Sequence, residues 1–281
     1  MLKIENLCKT YPSFSLKNVS FELPKGYIMG FIGANGAGKT TTLKSMLNIV
    51  KPDSGTVTIF GLNIIGNELE LKQRIGFMYG EADYYKHKRV GTVVDVYKRF
   101  FAQWDDDAYR GYLDRFGLDE KKQISELSSG MKVKLALTLA LSHHADLFIF
   151  DEPTSGLDPV ARAELLDLFH EIVEDGEKSI LFSTHITSDL DKCADFIVFI
   201  RDGEIIANTT KDDLIAEHVL VSGKRADLTD ELRSRLVGVR LNTFGFTGLM
   251  RRERLFDGDS AVRETPNLED IMVYYDKGAS K

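Results

Sequence analysis

A chain of 281 residues, 43% hydrophobic and 28% charged, has the composition of an ordinary globular protein and enough length to bury a sizeable core. Its net charge of −7 argues against bulk affinity for nucleic acid or an anionic membrane, without excluding a local basic patch. No apolar tract reaches the roughly 20 residues of a membrane span, and the N-terminal "MLKIENLCKTY" is charged and alternating rather than signal-like.

In "LKIENL" and "LKNVSFELP" apolar and polar residues alternate, as in strands of a half-solvated antiparallel sheet. "YIMGFIG" is a short apolar run that stops at glycine and gives way to the helix-like "KTTTLKSMLNIV", in the order strand, loop, helix. "GTVTIFG" is a further strand. From about Thr92 to Ser142 the pattern turns helical: "VVDVYKRFFAQW", "AYRGYLDRFG" and "MKVKLALTLALS" carry apolar residues at three- and four-residue spacing. Then "DLFIFDEP", "KSILFSTH" and "DFIVFIRDGEII" return as near-continuous apolar runs, the pattern of strands buried on both faces of a parallel sheet. "PVARAELLDLFHEIVEDG" supplies a crossover helix between two of them. Beyond about Asp212 the texture changes to a small mixed α/β tail without a chemical motif. The two cysteines, Cys8 and Cys193, have no metal or redox spacing and read as free thiols.

Gly33 to Thr40, "GANGAGKT", fits the phosphate-loop pattern G-x-x-x-x-G-K-[ST], placed after a strand and before a helix as its mechanism requires. Backbone N–H groups of Asn35, Gly36, Ala37 and Gly38 turn inward around phosphates, and the following helix adds its positive end. Lys39 reaches the β- and γ-phosphates, the Thr40 hydroxyl ligates Mg²⁺, and Thr41 completes the set. In "LFIFDE", Asp151 stands at the end of a buried strand, where open parallel sheets place their sites. It holds the metal, and Glu152 polarises the attacking water. A bland reading also exists for this pair, since "DEPTSGLDP" is a loop in which an acid can cap a turn.

In "ELSSGMKVKLALTLAL", Ser128, Ser129 and Gly130 precede a long helix, forming a second anion site in the same chain. Within one domain it has no phosphate to bind; in a head-to-tail dimer it closes over the partner's nucleotide. At these residues the chain resembles the ATP-binding-cassette (ABC) ATPases, over residues 1 to about 212. "LSSGM" is similar to that family's signature LSGGQ, and "LFIFDEPTSGLD" looks like its Walker B segment and D-loop. "STH" at 183–185 places His185 as the switch histidine. Tyr11 stands where the family's aromatic stacks on adenine, although an ordinary strand aromatic is the other reading. Asp158 in "SGLDP" is an interface residue by the same resemblance and a helix cap by its spacing. Ser129 and Met131 depart from the signature, which weakens the expected cross-dimer contact.

The resemblance implies an α/β fold: an ABC-type P-loop NTPase with a RecA-like core, an antiparallel β subdomain, a helical insertion and the small C-terminal tail. The expected division is a nucleotide-binding domain at 1–212, with its helical subdomain at about 90–145, and an accessory region at 213–281. The implied function is an ATPase using ATP and Mg²⁺, as a separate subunit of a bacterial transporter. The variant motifs look most like the subgroup serving ABC-2-type exporters of peptides or other amphipathic compounds. The implied partners are a second copy or a homologous ATPase subunit and a separate permease, with the chain peripheral on the cytoplasmic face of the membrane and no nucleic acid expected. The insertion and Q-loop would form the groove for the permease. At the Q-loop the chain departs from the family: "IGFMYGEADYY" places Gly80 at the glutamine position, and Glu81 beside it is either a replacement metal ligand or a solvated loop acid. The competing classes are a soluble ABC ATPase acting on nucleic acid or ribosomes, and a phosphate-loop kinase, which would lack "LSSGM".

Overall fold

The alternating N-terminal segments pair as the pattern predicts. In the computed structural model, which describes residues 1–79, 85–256 and 262–278, β1 (Leu2–Tyr11) and β2 (Phe14–Leu23) form an antiparallel hairpin with a two-residue turn. The chain then enters the molecule as β3 (Ile28–Ile32), turns through the phosphate loop and continues as α1 (Lys39–Met46). β4 (Ser54–Ile59) and β5 (Leu62–Asn63) extend the first sheet in the order β2-β1-β4-β5. Its inward residues, among them Ile4, Val19, Phe21 and Val57, join Met29, Phe31 and Leu181 in one apolar cluster, so this sheet covers one face of the central one.

After α2 (Glu68–Gln73) and β6 (Ile75–Tyr79) comes the helical insertion of α3 (Val90–Tyr97), α4 (Asp106–Phe116) and α5 (Ser129–Leu141). It has its own core of Val90, Val94, Tyr109, Leu113, Ile124 and Leu135. Asp105 caps α4 by accepting from the N–H groups of Asp107 and Ala108, and Gly117 ends it in the left-handed conformation. α3 stops earlier than the periodicity of "VVDVYKRFFAQW" predicts. The chain tightens into a 3₁₀ turn at Lys98–Phe100, which brings Phe101 to 4.8 Å from Tyr97 and to 3.9 Å from the buried ring of His143.

That burial gives a pH-dependent prediction. It pushes the pKa of His143 down from 6.5 to about 4, and His218 is lowered by the same cause. As pH falls below 6.5 the unfolded chain binds the proton first, so the contribution is complete above that value and is lost on the way down to about 4. The expected slope is up to about 1.4 kcal/mol of stability per pH unit for each such group. His143→Leu should flatten the fall in denaturant midpoint between these limits. An unaltered slope would show that His143 does not bind the proton on unfolding.

The rest of the core follows in order: β7 (Leu147–Asp151), α6 (Pro159–Val173), β8 (Ser179–Thr184), α7 (Thr187–Cys193), β9 (Phe196–Arg201) and β10 (Glu204–Thr210). The central sheet runs β10-β9-β3-β8-β7-β6 and is parallel except for β10. Every residue of β3, β7 and β8 is buried, as continuous apolar runs require. "DFIVFIRDGEII" forms a strand pair, the arrangement that the family resemblance implies for it, and only its first half is buried as the apolar run predicts. Asp202 and Gly203 both take positive φ, turning the run into a hairpin whose second strand, β10, is a half-exposed antiparallel edge. On one face Phe169 packs between Phe150 and Phe182, with ring centroids 5.3 and 5.5 Å apart, and truncating one of them to Ala should cost about 3–5 kcal/mol. Parallel register sets Ile32 beside Thr184 and Asp151 beside Ser183. The loops leaving β3, β7 and β8 therefore meet at one end of the sheet.

α8 (Lys211–Ala216) leads into a third sheet, of β11 (His218–Gly223), β12 (Leu236–Leu241), β13 (Phe246–Arg251) and β14 (Val262–Glu264), in the order β12-β13-β11-β14. α9 (Asp230–Arg235) precedes β12, and α10 (Leu268–Gly278) follows β14. Leu268, Ile271 and Tyr274 of α10 share a cluster with Leu190 and Cys193 of α7 and Phe199 of β9. The Tyr275 ring meets Phe199 edge-on at 5.8 Å, and its hydroxyl lies 2.9 Å from His218 Nε2. Cys8 and Cys193 are both free thiols. Among the described residues no helix is long and apolar enough to cross a membrane.

Candidate functional site

The loop between β3 and α1 folds back through an Ala37 N–H to Ala34 carbonyl bond of 3.1 Å. Glycine is required at several positions of this loop, Gly33 and Gly36 included, and most plainly at Gly38. Its φ is +113°, and a Cβ there would press on Leu16 and Phe14 at 2.7 and 2.8 Å. The loop borders a cavity of about 370 Å³ lined by Asn35, Gly36, Gly38, Lys39, Thr40 and Thr41 from one side and by Glu152 and Phe14 from others. Ala37 is buried behind it.

Lys39 is buried, and its Nζ donates to the carbonyls of Gly33 (2.7 Å) and Ala34 (3.3 Å). It also pairs with Glu152 Oε1 at 3.1 Å. The other carboxylate oxygen of Glu152 lies 2.8 Å from His185 Nδ1. Glu152 thus joins the phosphate-loop lysine to the histidine at the end of β8. Its own φ is +52°, a conformation that costs a non-glycine residue about 1–2 kcal/mol. The backbone is held there because its N–H donates to Ser183 Oγ at 2.9 Å.

Asp151 is buried with both oxygens engaged. Oδ2 accepts from the Thr40 hydroxyl at 2.7 Å, and Oδ1 accepts from the Ser183 hydroxyl at 2.5 Å. Thr40 Oγ1 and Asp151 Oδ2 form a pair of hard oxygen donors facing the loop. This donor set fits Mg²⁺, which takes one or two protein oxygens and fills its shell with phosphate and water oxygens. Among the described residues no cluster of three or more acidic, His or Cys side chains forms a self-sufficient metal cage. Glu81, the candidate third ligand, lies outside the described residues.

Tyr11 is exposed beside Lys9, opposite Phe14 across the hairpin turn; Phe14, not Tyr11, lines the cavity. Ser128, Ser129 and Gly130 open α5 away from that cavity, next to the loop after Glu152, where a Cβ on Gly130 would meet Leu157 at 3.4 Å. Ser128 caps the helix by accepting from the Met131 N–H at 3.2 Å, which leaves its own hydroxyl proton available. Asp158 caps α6 by accepting from the N–H groups of Val160 and Ala161, and these bonds hold its pKa below the usual carboxylate range. The structure thus brings Lys39, Thr40, Asp151, Glu152 and His185 into one hydrogen-bonded cluster and sets Ser128–Gly130 apart from it. Ser183 and Phe14 were missed by the sequence reading. The first had a signal in the polar "ST" closing an apolar strand; the second had none.

Residues 16–155 match the family described as ABC transporter. The bacitracin transport ATP-binding protein BcrA of Bacillus licheniformis is 33% identical over 217 residues, covering 76% of this chain and 71% of that one. The lantibiotic transport ATP-binding protein SrtF of Streptococcus pyogenes is 34% identical over 222 residues, covering 75% and 92%. This chain belongs to the ABC transporter ATPases. Among solved structures, an ATP-binding subunit of an ABC transporter superposes with a TM-score of 0.70 at 26% identity, covering 77% of this chain and 92% of the other. CbiO1 from Clostridium perfringens, part of the transporter complex CbiONQ, gives 0.65 at 25% identity, covering 77% and 90%. As an ABC ATPase, the chain binds and hydrolyses ATP as a transporter subunit.

Proposed function

We propose that this ABC ATPase powers a separate ABC-2-type permease exporting a peptide or other amphipathic compound from the cytoplasmic face of the membrane. Relatives whose names specify bacitracin and lantibiotic transport support the cargo class. The observation that carries the permease is a groove of about 490 Å³ between β6, α3 and α5, lined by Phe77, Tyr79, Tyr85, Val93, Tyr97 and Leu139. Its aromatic, largely apolar wall suits a short amphipathic helix laid into it. We assign residues 1–212 to the ATPase proper and 213–281 to an accessory region.

At the site, Lys39 and the loop amides hold the triphosphate, and Phe14 offers aromatic surface to the base, with Tyr11 exposed opposite it across the hairpin turn. Thr40 and Asp151 would hold Mg²⁺, which when bound neutralises charge on the β- and γ-phosphates. An arriving triphosphate draws the Lys39 ammonium away from Glu152, freeing Oε1 to accept a proton from water while His185 holds Oε2. Ser128–Gly130 close the site from a second subunit, with Asp158 at the interface.

The groove is tested with the ATPase reconstituted beside the membrane protein encoded next to it. Tyr85→Glu combined with Val93→Glu puts charge into the apolar wall. Basal ATP hydrolysis should stay within about two-fold, because neither residue borders the nucleotide cavity, while permease stimulation is lost. Retained stimulation would place the permease elsewhere.

A further inference from the structure

Glu152 and His185 leave the sheet on different loops, and their 2.8 Å contact requires those loops to stay in register. Behind that contact lies a second, fully buried one. Thr154, two residues beyond Glu152, and Asp189, four residues beyond His185, are both almost inaccessible to solvent. The Thr154 hydroxyl donates to Asp189 Oδ2 at 2.6 Å. Glu152–His185 and Thr154–Asp189 therefore close a small ring between the loop after β7 and the first turn of α7. The first contact faces the nucleotide cavity, and the second is sealed from water.

The other Asp189 oxygen faces the Nε of Arg162 at 3.8 Å, and neither atom has a hydrogen-bond partner among the described residues. Arg162 lies on α6 one turn beyond its cap Asp158, to whose carbonyl its backbone N–H is bonded at 3.0 Å. A buried carboxylate unsupported by charge would be costly, and the guanidinium lowers that cost. Asp189 thereby ties three segments together: the loop carrying Glu152, the helix that follows His185, and the start of α6 with Asp158.

We infer that Asp189 is a positioning residue for hydrolysis, setting the Glu152–His185 geometry through Thr154 and linking it through Arg162 to the start of α6. This inference rests on reading Glu152 and His185 as the hydrolytic pair. Asp189 is not a catalytic residue, because it touches neither the cavity nor its lining. Its effect is on orientation, where a displacement of about 1 Å can cost on the order of 10²-fold in rate.

The test measures kcat and KM for ATP in Thr154→Val, Asp189→Ala and Asp189→Asn, with Glu152→Gln and His185→Ala alongside. Thr154→Val removes the hydroxyl at nearly constant volume and should lower kcat about ten-fold, with KM within about two-fold, since no nucleotide contact is lost. Asp189→Ala should do at least as much, and Asp189→Asn, which keeps an oxygen for Thr154, should recover part of the loss. In a Glu152→Gln background Thr154→Val should add nothing, because it acts through that side chain. If Asp189→Ala does not fold, Thr154→Val and its epistasis decide the matter. An unchanged kcat, a parallel loss of ATP affinity, or a full further loss in the Glu152→Gln background overturns the inference. If Glu152→Gln and His185→Ala themselves leave kcat unchanged, the reading of the hydrolytic pair falls instead.

Discussion

Glu152→Gln protein should hydrolyse ATP on the order of 10²–10⁴-fold more slowly than the unaltered chain while binding ATP at least as well. The amide keeps the shape and the reach to His185 but cannot take a proton from water. It also ends the ionic hold on Lys39, which in the structure sits 3.1 Å from Oε1 and, in the proposed mechanism, turns to the phosphates when nucleotide enters. Loss of the resting pair favours the bound state, so the substituted protein should accumulate as an ATP-loaded dimer. Single-turnover hydrolysis and gel filtration with and without ATP read the two consequences separately. Turnover equal to that of the unaltered protein would remove Glu152 from the chemistry.

Mixing Lys39→Ala subunits with Gly130→Asp subunits should restore hydrolysis that neither has alone. Lys39 lines the cavity beside the loop between β3 and α1, whereas Gly130 opens α5 beside Leu157, away from that cavity. The space at Gly130 accepts a Cβ, so the new carboxylate should be tolerated by the fold. There it repels an incoming triphosphate instead of binding it. In a two-fold dimer, the heterodimer holds one site with an intact phosphate loop and an intact opposing helix, and one site with neither. Equal mixing gives about a quarter of the unaltered activity if sites act independently. Confirmed heterodimers no more active than either variant would mean that the Ser128 segment does not complete a partner's site.

The loop from Gly33 to Thr40, Asp151, Glu152, His185 and Ser128–Gly130 could be singled out as candidates from the chain alone because the patterns that mark them are local, and the structure brings all but Ser128–Gly130 together. Inward-turned amides need glycine at places such as Gly36 and Gly38, a lysine and a hydroxyl must follow within a turn, and an acid must end a buried strand. The buried parallel strands were legible for a related reason, since burial on both faces leaves no room for polar residues along them. What lay out of reach depends on how distant segments align. Ser183 holds both Asp151 and Glu152 only because β7 and β8 pair in one register, Asp151 beside Ser183. Phe14 reaches the cavity because the first sheet packs over Gly38, and Thr154 finds Asp189 only once α7 lies along the loop after β7. The same holds for the C-terminal region: its mixed α/β texture was readable, but that α10 lies against α7 and Phe199 was decided by which apolar faces remained to be covered. Local patterns carry the chemistry of a segment; the partner across a gap is chosen by the packing of the whole chain, which no short stretch encodes.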